Sequence, residues 1–176
     1  PASGSFSSSE IDVQGEGDYG YSAIIYLNDE EVARTEIDVD NTFTYTLEDI
    51  EDGEYEIYVD IADITGTDED EEITVIETSD VETIVVDTTA PELVSVSVKP
   101  DATSFTSGET VTVTVLSEEN LAQATLIFNE ESSTLEEQST NGKYQADIVM
   151  PEELGDYTLD INLEDELGNE AQFRDQ

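Results

Sequence analysis

The sequence predicts an all-β protein made of two tandem β-sandwich domains. Three observations carry that expectation. The stretch Gly53-Glu54-Tyr55-Glu56-Ile57-Tyr58-Val59-Asp60-Ile61-Ala62-Asp63-Ile64-Thr65-Gly66 recurs without a gap as Gly155–Gly168. In both copies apolar residues alternate after the Tyr (Tyr55, Ile57, Val59, Ile61; Tyr157, Leu159, Ile161, Leu163). That period buries one face of a strand and leaves the other in water. Between the copies lies Asp87-Thr88-Thr89-Ala90-Pro91. Pro91 cannot donate a ladder hydrogen bond and holds Ala90 extended, so a semi-rigid joint is expected there. The domains are therefore placed at 1–87 and 88–176.

Residues 1–9 are small and polar with Phe6 as sole anchor, and read as a linker or weak edge strand. Ile11–Val13 begins a strand that Gly15–Asp18 turns. Ser22–Leu27 is a strong strand, Val32–Ile37 alternates, and Thr42–Leu47 follows the acidic turn Asp38–Asn41. The strand from Gly53 comes next. Five successive acids, Asp68–Glu72, separate it from strands over Ile73–Ile76 and Val81–Val86. After the joint come Leu93–Val98, Thr110–Leu116, Ala124–Phe128, Ser133–Glu137, Lys143–Val149, Tyr157–Leu163 and Ala171–Phe173. Strands at such spacing, divided by turn residues, suit an immunoglobulin-like sandwich. The duplication reaches further, since Ala23–Asn28 matches Ala124–Asn129, and Asp40–Phe43 matches Asn141–Tyr144. Tandem units of this period indicate an array of domains rather than one enzyme fold.

Measured against its own repeat, the chain lacks a strand at each end, unless residues 2–8 improvise the first. An excerpt from a longer array, strand donation between neighbouring subunits and local divergence of the repeat all account for this.

The 176 residues hold 46 acids against Arg34, Lys99, Lys143 and Arg174, a formal charge of −42. That balance excludes a phosphate-binding surface, hence nucleic acid, and it excludes anionic membranes as well. No apolar run approaches the ~18 residues of a membrane span. The charge also opposes folding. Two unit charges ~8 Å apart in water repel by roughly 0.5 kcal/mol, and dozens of such neighbours compete with a net stability of about 5–15 kcal/mol. Concentrated salt or bound divalent cations must offset it. Disorder is the bland alternative for so acidic a chain, but eight Tyr, five Phe and clear alternation favour packed sheets.

Around the joint the chain resembles the bacterial and archaeal immunoglobulin-like domains of large cell-surface proteins. Val86-Asp87-Thr88-Thr89-Ala90-Pro91 is similar to their inter-domain linker. Gly-x-Tyr-x-apolar-x-apolar, completed as Asp165-Glu166-Leu167-Gly168-Asn169, is similar to their penultimate strand and following loop. The first domain departs from the pattern, with Thr67 where Asn is usual. The resemblance implies an extracellular, cell-surface location in S-layers, adhesin stalks or filaments, and the acidity is similar to that of halophilic surface proteins. It places Tyr55 and Tyr157 at the tyrosine corner of the sandwich. Ordinary core aromatics are the alternative.

Catalysis needs a nucleophile with a base, paired carboxylates in a cleft, or an open metal site. There is no His and no Cys, and carboxylates are too numerous for any pair to be informative. The expectation is therefore no enzyme, no catalytic or cofactor-binding residue and no small-molecule substrate. Cation binding is the one chemistry the acids offer. Ca²⁺ takes six to eight oxygens from carboxylates, carbonyls and water. The candidate ligands are Asp38 and Asp40 with Asn41, Asp63 with Asp68 and Asp70, Asp87 at the joint, and Asp165 with Asn169. The resemblance implies that Asp87 shares an ion that stiffens the linker. The alternative is a solvated acidic surface holding Na⁺ or K⁺ loosely. The functional expectation is a structural module of an extracellular assembly that self-associates with like subunits or neighbouring domains. The alternative is an adhesin segment presenting a loop to a glycan or protein.

Overall fold

A computed structural model describes residues 4–66, 70–117 and 120–176. The described residues form strands and turns, with no helix. They divide into two compact units, Pro1–Thr88 and Thr89–Gln176.

Unit 2 shows the architecture plainly. Its strands are β9 (Ser95–Lys99), β10 (Thr110–Leu116), β11 (Gln123–Phe128), β12 (Glu131–Thr134), β13 (Glu136–Glu137), β14 (Lys143–Val149), β15 (Leu159–Glu164) and β16 (Glu170–Phe173). One sheet runs β13-β14-β10-β9 and the other β12-β11-β15-β16. These are the D-E-B-A and C′-C-F-G orders of an immunoglobulin-type sandwich, with one added strand beside C. Alternation supplies the core. Val111, Val113 and Val115 from one sheet meet Leu126, Ile161 and Leu163 from the other, all at 1% exposure or less. Each such side chain contributes about 1.5–3 kcal/mol when taken out of water.

Unit 1 uses β1 (Gly4–Phe6), β2 (Ile11–Glu16), β3 (Ser22–Leu27), β4 (Glu30–Glu36), β5 (Thr42–Leu47), β6 (Gly53–Thr65), β7 (Glu72–Thr78) and β8 (Glu82–Val86). A two-stranded sheet, β2-β5, faces a larger sheet ordered β1-β8-β6-β3-β4. Ile11, Val13, Phe43 and Leu47 from the small sheet share a core with Ala23, Ile25, Ile57, Val59 and Ile84. The β2 strand runs through Gly15 to Glu16, past the expected turn. The Phe43 ring lies where a Gly15 side chain would stand, 2.6 Å from an added Cβ. Aromatic cover thus holds extended a residue that would otherwise break the strand.

Two expectations about strand ends change. At the front, Gly4–Phe6 does pair, parallel to β8 (Gly4↔Ile84, Phe6↔Val86). At the back, Glu170–Phe173 already lies beside β15 (Ile161↔Phe173, Glu164↔Glu170). Gln176 and Leu159 exchange two backbone hydrogen bonds beyond it. The part of the second copy that corresponds to Gly53–Glu56, held by β8 in unit 1, has no strand partner among the described residues. The repeated stretch is also unequal in its two copies. Gly53–Ile57 is held as strand by β8, whereas the second copy becomes strand only at Leu159.

The largest departure follows Ile61. In unit 2 the corresponding strand ends at Glu164. In unit 1, β6 continues to Thr65 and folds back as β7 (Asp60↔Thr78, Ala62↔Val75, Ile64↔Ile73), with a bulge at Ile76. Every residue of β7 is exposed. Ile24, Asp60 and Ala62 alternate away from the main core, yet they are buried.

Candidate functional site

The acidic turns were the sequence's candidate sites, and each is built differently. In Asp38–Asn41 the backbone closes on itself. Asn41 N–H donates to the Asp38 carbonyl at 2.9 Å, and Asp38 N–H to that of Thr42 at 2.8 Å. Asn41 adopts φ +66°, a conformation its short polar side chain tolerates. The Asp40 carboxylate accepts the Thr42 hydroxyl at 2.7 Å and its N–H at 3.3 Å. The Thr42 hydroxyl, aided by that N–H, holds the Asp40 carboxyl below its ordinary value, against a smaller effect of burial. Asn41 Oδ1 accepts Tyr19 N–H at 3.0 Å. Asp40 and Asn41 are thus committed to shaping their own turn.

Asp63 lies on β6 opposite Thr74, and Asp70 is exposed. Asp68 lies outside the described residues. The turn at Gly66 (φ +97°) passes so close to the Asp70 carbonyl that a Cβ on Gly66 would stand 2.2 Å from its oxygen. Asp87 is half-buried at the end of β8, its N–H donating to the Phe6 carbonyl at 3.0 Å. A carboxylate that the sequence reading did not single out also binds beside the joint. Asp52 accepts both the N–H and the hydroxyl of Thr88, each at 2.8 Å.

Asp165 and Asn169 are brought together, and the geometry says what for. Asp165 Oδ1 accepts N–H groups from Leu167 at 2.8 Å and Asn169 at 2.9 Å, while Oδ2 accepts Asn169 Nδ2 at 2.8 Å. Gly168 turns the chain at φ +87° and its N–H donates to the Asp165 carbonyl at 3.3 Å. Burial pushes the Asp165 carboxyl up, but the N–H donors of Asn169, Leu167 and Gly168 outweigh it and leave it low. The carboxylate's lone pairs are directed at protein N–H groups, a self-capped turn of the Asx kind. Among the described residues no three acidic side chains gather into a metal-ligating group.

Both tyrosine corners are present. Tyr55 donates its hydroxyl to the Glu51 carbonyl at 2.9 Å, and Tyr157 to that of Glu153 at 2.8 Å. Each bond reaches four residues upstream, as a tyrosine corner requires.

Three further features escaped the sequence reading. On the outer face of unit 1's large sheet, Tyr26 and Tyr58 stack with ring centroids 4.8 Å apart and planes within 10°. Desolvation by their surroundings, then the charges of Asp60 and Glu31, push Tyr26 up; desolvation and Asp29 do the same for Tyr58. Beside them Arg34 binds Glu31 through Nε and Nη2, and Glu71 through Nη1 at 2.8 Å. Those two carboxylates raise its affinity for the proton. Arg34 is the sole basic residue before Lys99. At one end of unit 2, a cavity of about 490 Å³ opens between residues 103–107 and 150–157. Its floor is apolar (Val111, Phe128, Ile148) and its rim carries Ser107 and Asp156. Long-range folding brings together the tyrosine pair, Arg34 with Glu71, and the cavity lining, so no local pattern announced them.

No protein-family model matches the chain, and no curated protein matches it. Among solved structures it is similar to the SGBP-B protein of the Bacteroides ovatus mixed-linkage glucan utilization locus, solved with a mixed-linkage heptasaccharide. There the identity is 16%, with 97% of this chain and 40% of that one covered, at a TM-score of 0.28. It is also similar to the BSP domain of a biofilm associated protein, at 13% identity, 99% and 28% coverage, and a TM-score of 0.34. The chain thus spans less than half the length of either.

Proposed function

We propose that the chain is a non-enzymatic structural module of an extracellular cell-surface assembly, a link or subunit of an S-layer or filament. One observation supports this above the others. The same sandwich architecture is built twice, and two of the candidate ligand acids in its turns, Asp40 and Asp165, accept hydrogen bonds from their own backbone. Such acids shape turns and carry charge; they do not converge on a substrate. Cations then act chiefly as a counterion atmosphere over the −42 surface. The experiment is sedimentation and negative-stain imaging of the purified chain in molar KCl, with CaCl₂ or EDTA at matched ionic strength. Ordered assemblies that need salt but no particular cation are expected. Monomers under every condition would remove the subunit reading.

The cavity in unit 2 favours a second reading, an adhesin segment that holds a ligand group at the sandwich end. Its test is a glycan and peptide array probed in molar salt. Capture that Ser107→Trp abolishes would support it.

A further inference from the structure

The two copies of the sandwich differ at one pair in the middle of a sheet. In unit 2, Ile127 of β11 stands opposite Asp160 of β15. In unit 1 the matching strands, β3 and β6, place Tyr26 directly opposite Tyr58. Side chains facing each other across an antiparallel pair have Cβ atoms about 4.5–5.5 Å apart. Here the two rings lie nearly parallel, with centroids 4.8 Å apart. Both are half-buried on the outer face of the sheet. On the inner face the same two strands carry Ile25, Leu27, Ile57 and Val59 of the core. Carboxylates surround the pair. The Tyr58 hydroxyl donates to Asp29 at 3.3 Å, and the negative charges of Asp60 and Glu31 act on Tyr26. A negative field that hinders a phenol from losing its proton helps its ring to lose an electron. Arg34 opposes this at Tyr26, but Glu31 and Glu71 bind it. Among the described residues no other two tyrosine rings stack. Tyr55 and Tyr157 are committed to their corner bonds, and Tyr144 is buried.

We infer that Tyr26 and Tyr58 are a site of oxidative cross-linking, joined by peroxide-driven one-electron oxidation into a dityrosine staple between β3 and β6. Each phenol gives one electron to the oxidant. Its proton leaves too, from Tyr58 to the Asp29 carboxylate and from Tyr26 to water. The two phenoxyl radicals couple through one ortho carbon each, and a carbon–carbon bond forms. The hydrogens on those ortho carbons pass through water to the two oxygens and restore both phenols. The pair has then lost two hydrogens, and the peroxide O–O bond has broken in taking up two electrons. Groups held together react as if at very high concentration, so coupling within the pair outruns coupling between chains. Half-exposed rings on a sheet face have room to tip outward as the bond forms. The chain has no Cys, so no disulfide links its strands. The staple supplies such a link between two strands at the heart of the larger sheet of unit 1. Joining residues distant in sequence removes freedom from the unfolded chain. The inference needs only the pair and an oxidant, and stands apart from the proposed assembly.

The test oxidises the full chain, at micromolar concentration in 1 M KCl, with persulfate and light-activated ruthenium tris(bipyridine). The expected product is a single chain lighter by two hydrogens, with the blue fluorescence of dityrosine. Peptide mapping should place the bond between Tyr26 and Tyr58, in about tenfold or greater excess over any other pair. Tyr26→Phe and Tyr58→Phe keep a stacked ring pair, so both should fold, and each should abolish that product. In the stapled chain unit 1 should melt about 10 °C or more higher at the same salt, with unit 2 unchanged. A bond mapped to Tyr19 and Tyr21, covalent dimers as the main product, or a yield that either Phe variant leaves unchanged would overturn the inference. So would a staple that forms and leaves the melting of unit 1 where it was.

Discussion

Replacing Asp165 by Ala separates a self-capped turn from a metal-held one. The carboxylate accepts three N–H bonds of 2.8–2.9 Å. A hydrogen bond to a charged group contributes about 1.5–3 kcal/mol when shielded. Asp165 is only half-buried, and solvent screening reduces each to roughly 0.5–1 kcal/mol. The expected loss is about 2 kcal/mol, or about 8–16 °C in the melting of a domain this size. Unit 2 alone should respond. Its folded-state carboxyl lies low, so its contribution is complete above the unfolded aspartate value near 3.9. That contribution disappears as pH falls through the lower folded-state value. The wild-type advantage over the variant should hold from pH 7 to pH 5 and vanish in strong acid. Calorimetry in molar KCl, with CaCl₂ or EDTA at equal ionic strength, is the assay. A variant melting within about 2 °C of wild type would refute the capping argument. So would a wild-type rise specific to Ca²⁺ that the variant lacks, because it would make the loop a cation site.

Four substitutions follow from other contacts. Arg34→Gln removes the bonds to Glu31 and Glu71; exposed pairs are weak, so about 1 kcal/mol is expected, shrinking with salt, by denaturant titration of unit 1. Tyr157→Phe deletes the corner bond to Glu153 and should cost about 1 kcal/mol in unit 2 melting, as Tyr55→Phe should in unit 1. Gly66→Ala combines a positive φ with a Cβ 2.2 Å from a carbonyl oxygen; a loss of about 2 kcal/mol or more is expected, with faster amide exchange confined to β6 and β7.

The alternating strands were legible because their signal is local. Ser22–Leu27, Thr42–Leu47, Thr110–Leu116 and Lys143–Val149 occupy the predicted residues. The tyrosine corners were legible too, since a Gly two residues before a Tyr marks the turn that the hydroxyl spans. The turns at Asp40 and Asp165 were located, but their chemistry was not. A sequence does not say which N–H groups a carboxylate accepts, and here they come from the backbone of its own turn. The burial of Ile24, Asp60 and Ala62 was hidden for a different reason. By alternation they belong on the solvent side. Asp60 and Ala62 lie where β6 overruns its repeat and β7 folds back along it, and there the Thr78 hydroxyl donates to Asp60 at 2.6 Å. The same overrun explains why Asp63, the counterpart of Asp165, sits in a ladder and not in a cap.

The uneven division of charge leads to the most general prediction. More than half of the 46 acids fall in unit 1, with Arg34 as its only cation, while unit 2 holds three basic residues. Each pair of neighbouring carboxylates adds roughly 0.5 kcal/mol of repulsion at ~8 Å in water. Most of it is lost when the screening length falls to about 3 Å at 1 M salt. Both units gain from salt, and unit 1 should gain more. Site-resolved hydrogen exchange or two-transition calorimetry should show unit 1 melting first at low ionic strength. The gap to unit 2 should narrow as KCl rises, and equally with NaCl. Lowering the pH toward 4.5 in dilute buffer should narrow it as well, because protonation removes the same charges. A gap that ignores ionic strength would mean that packing, not charge, sets the weaker unit. The smaller two-stranded sheet of unit 1 would then be the cause.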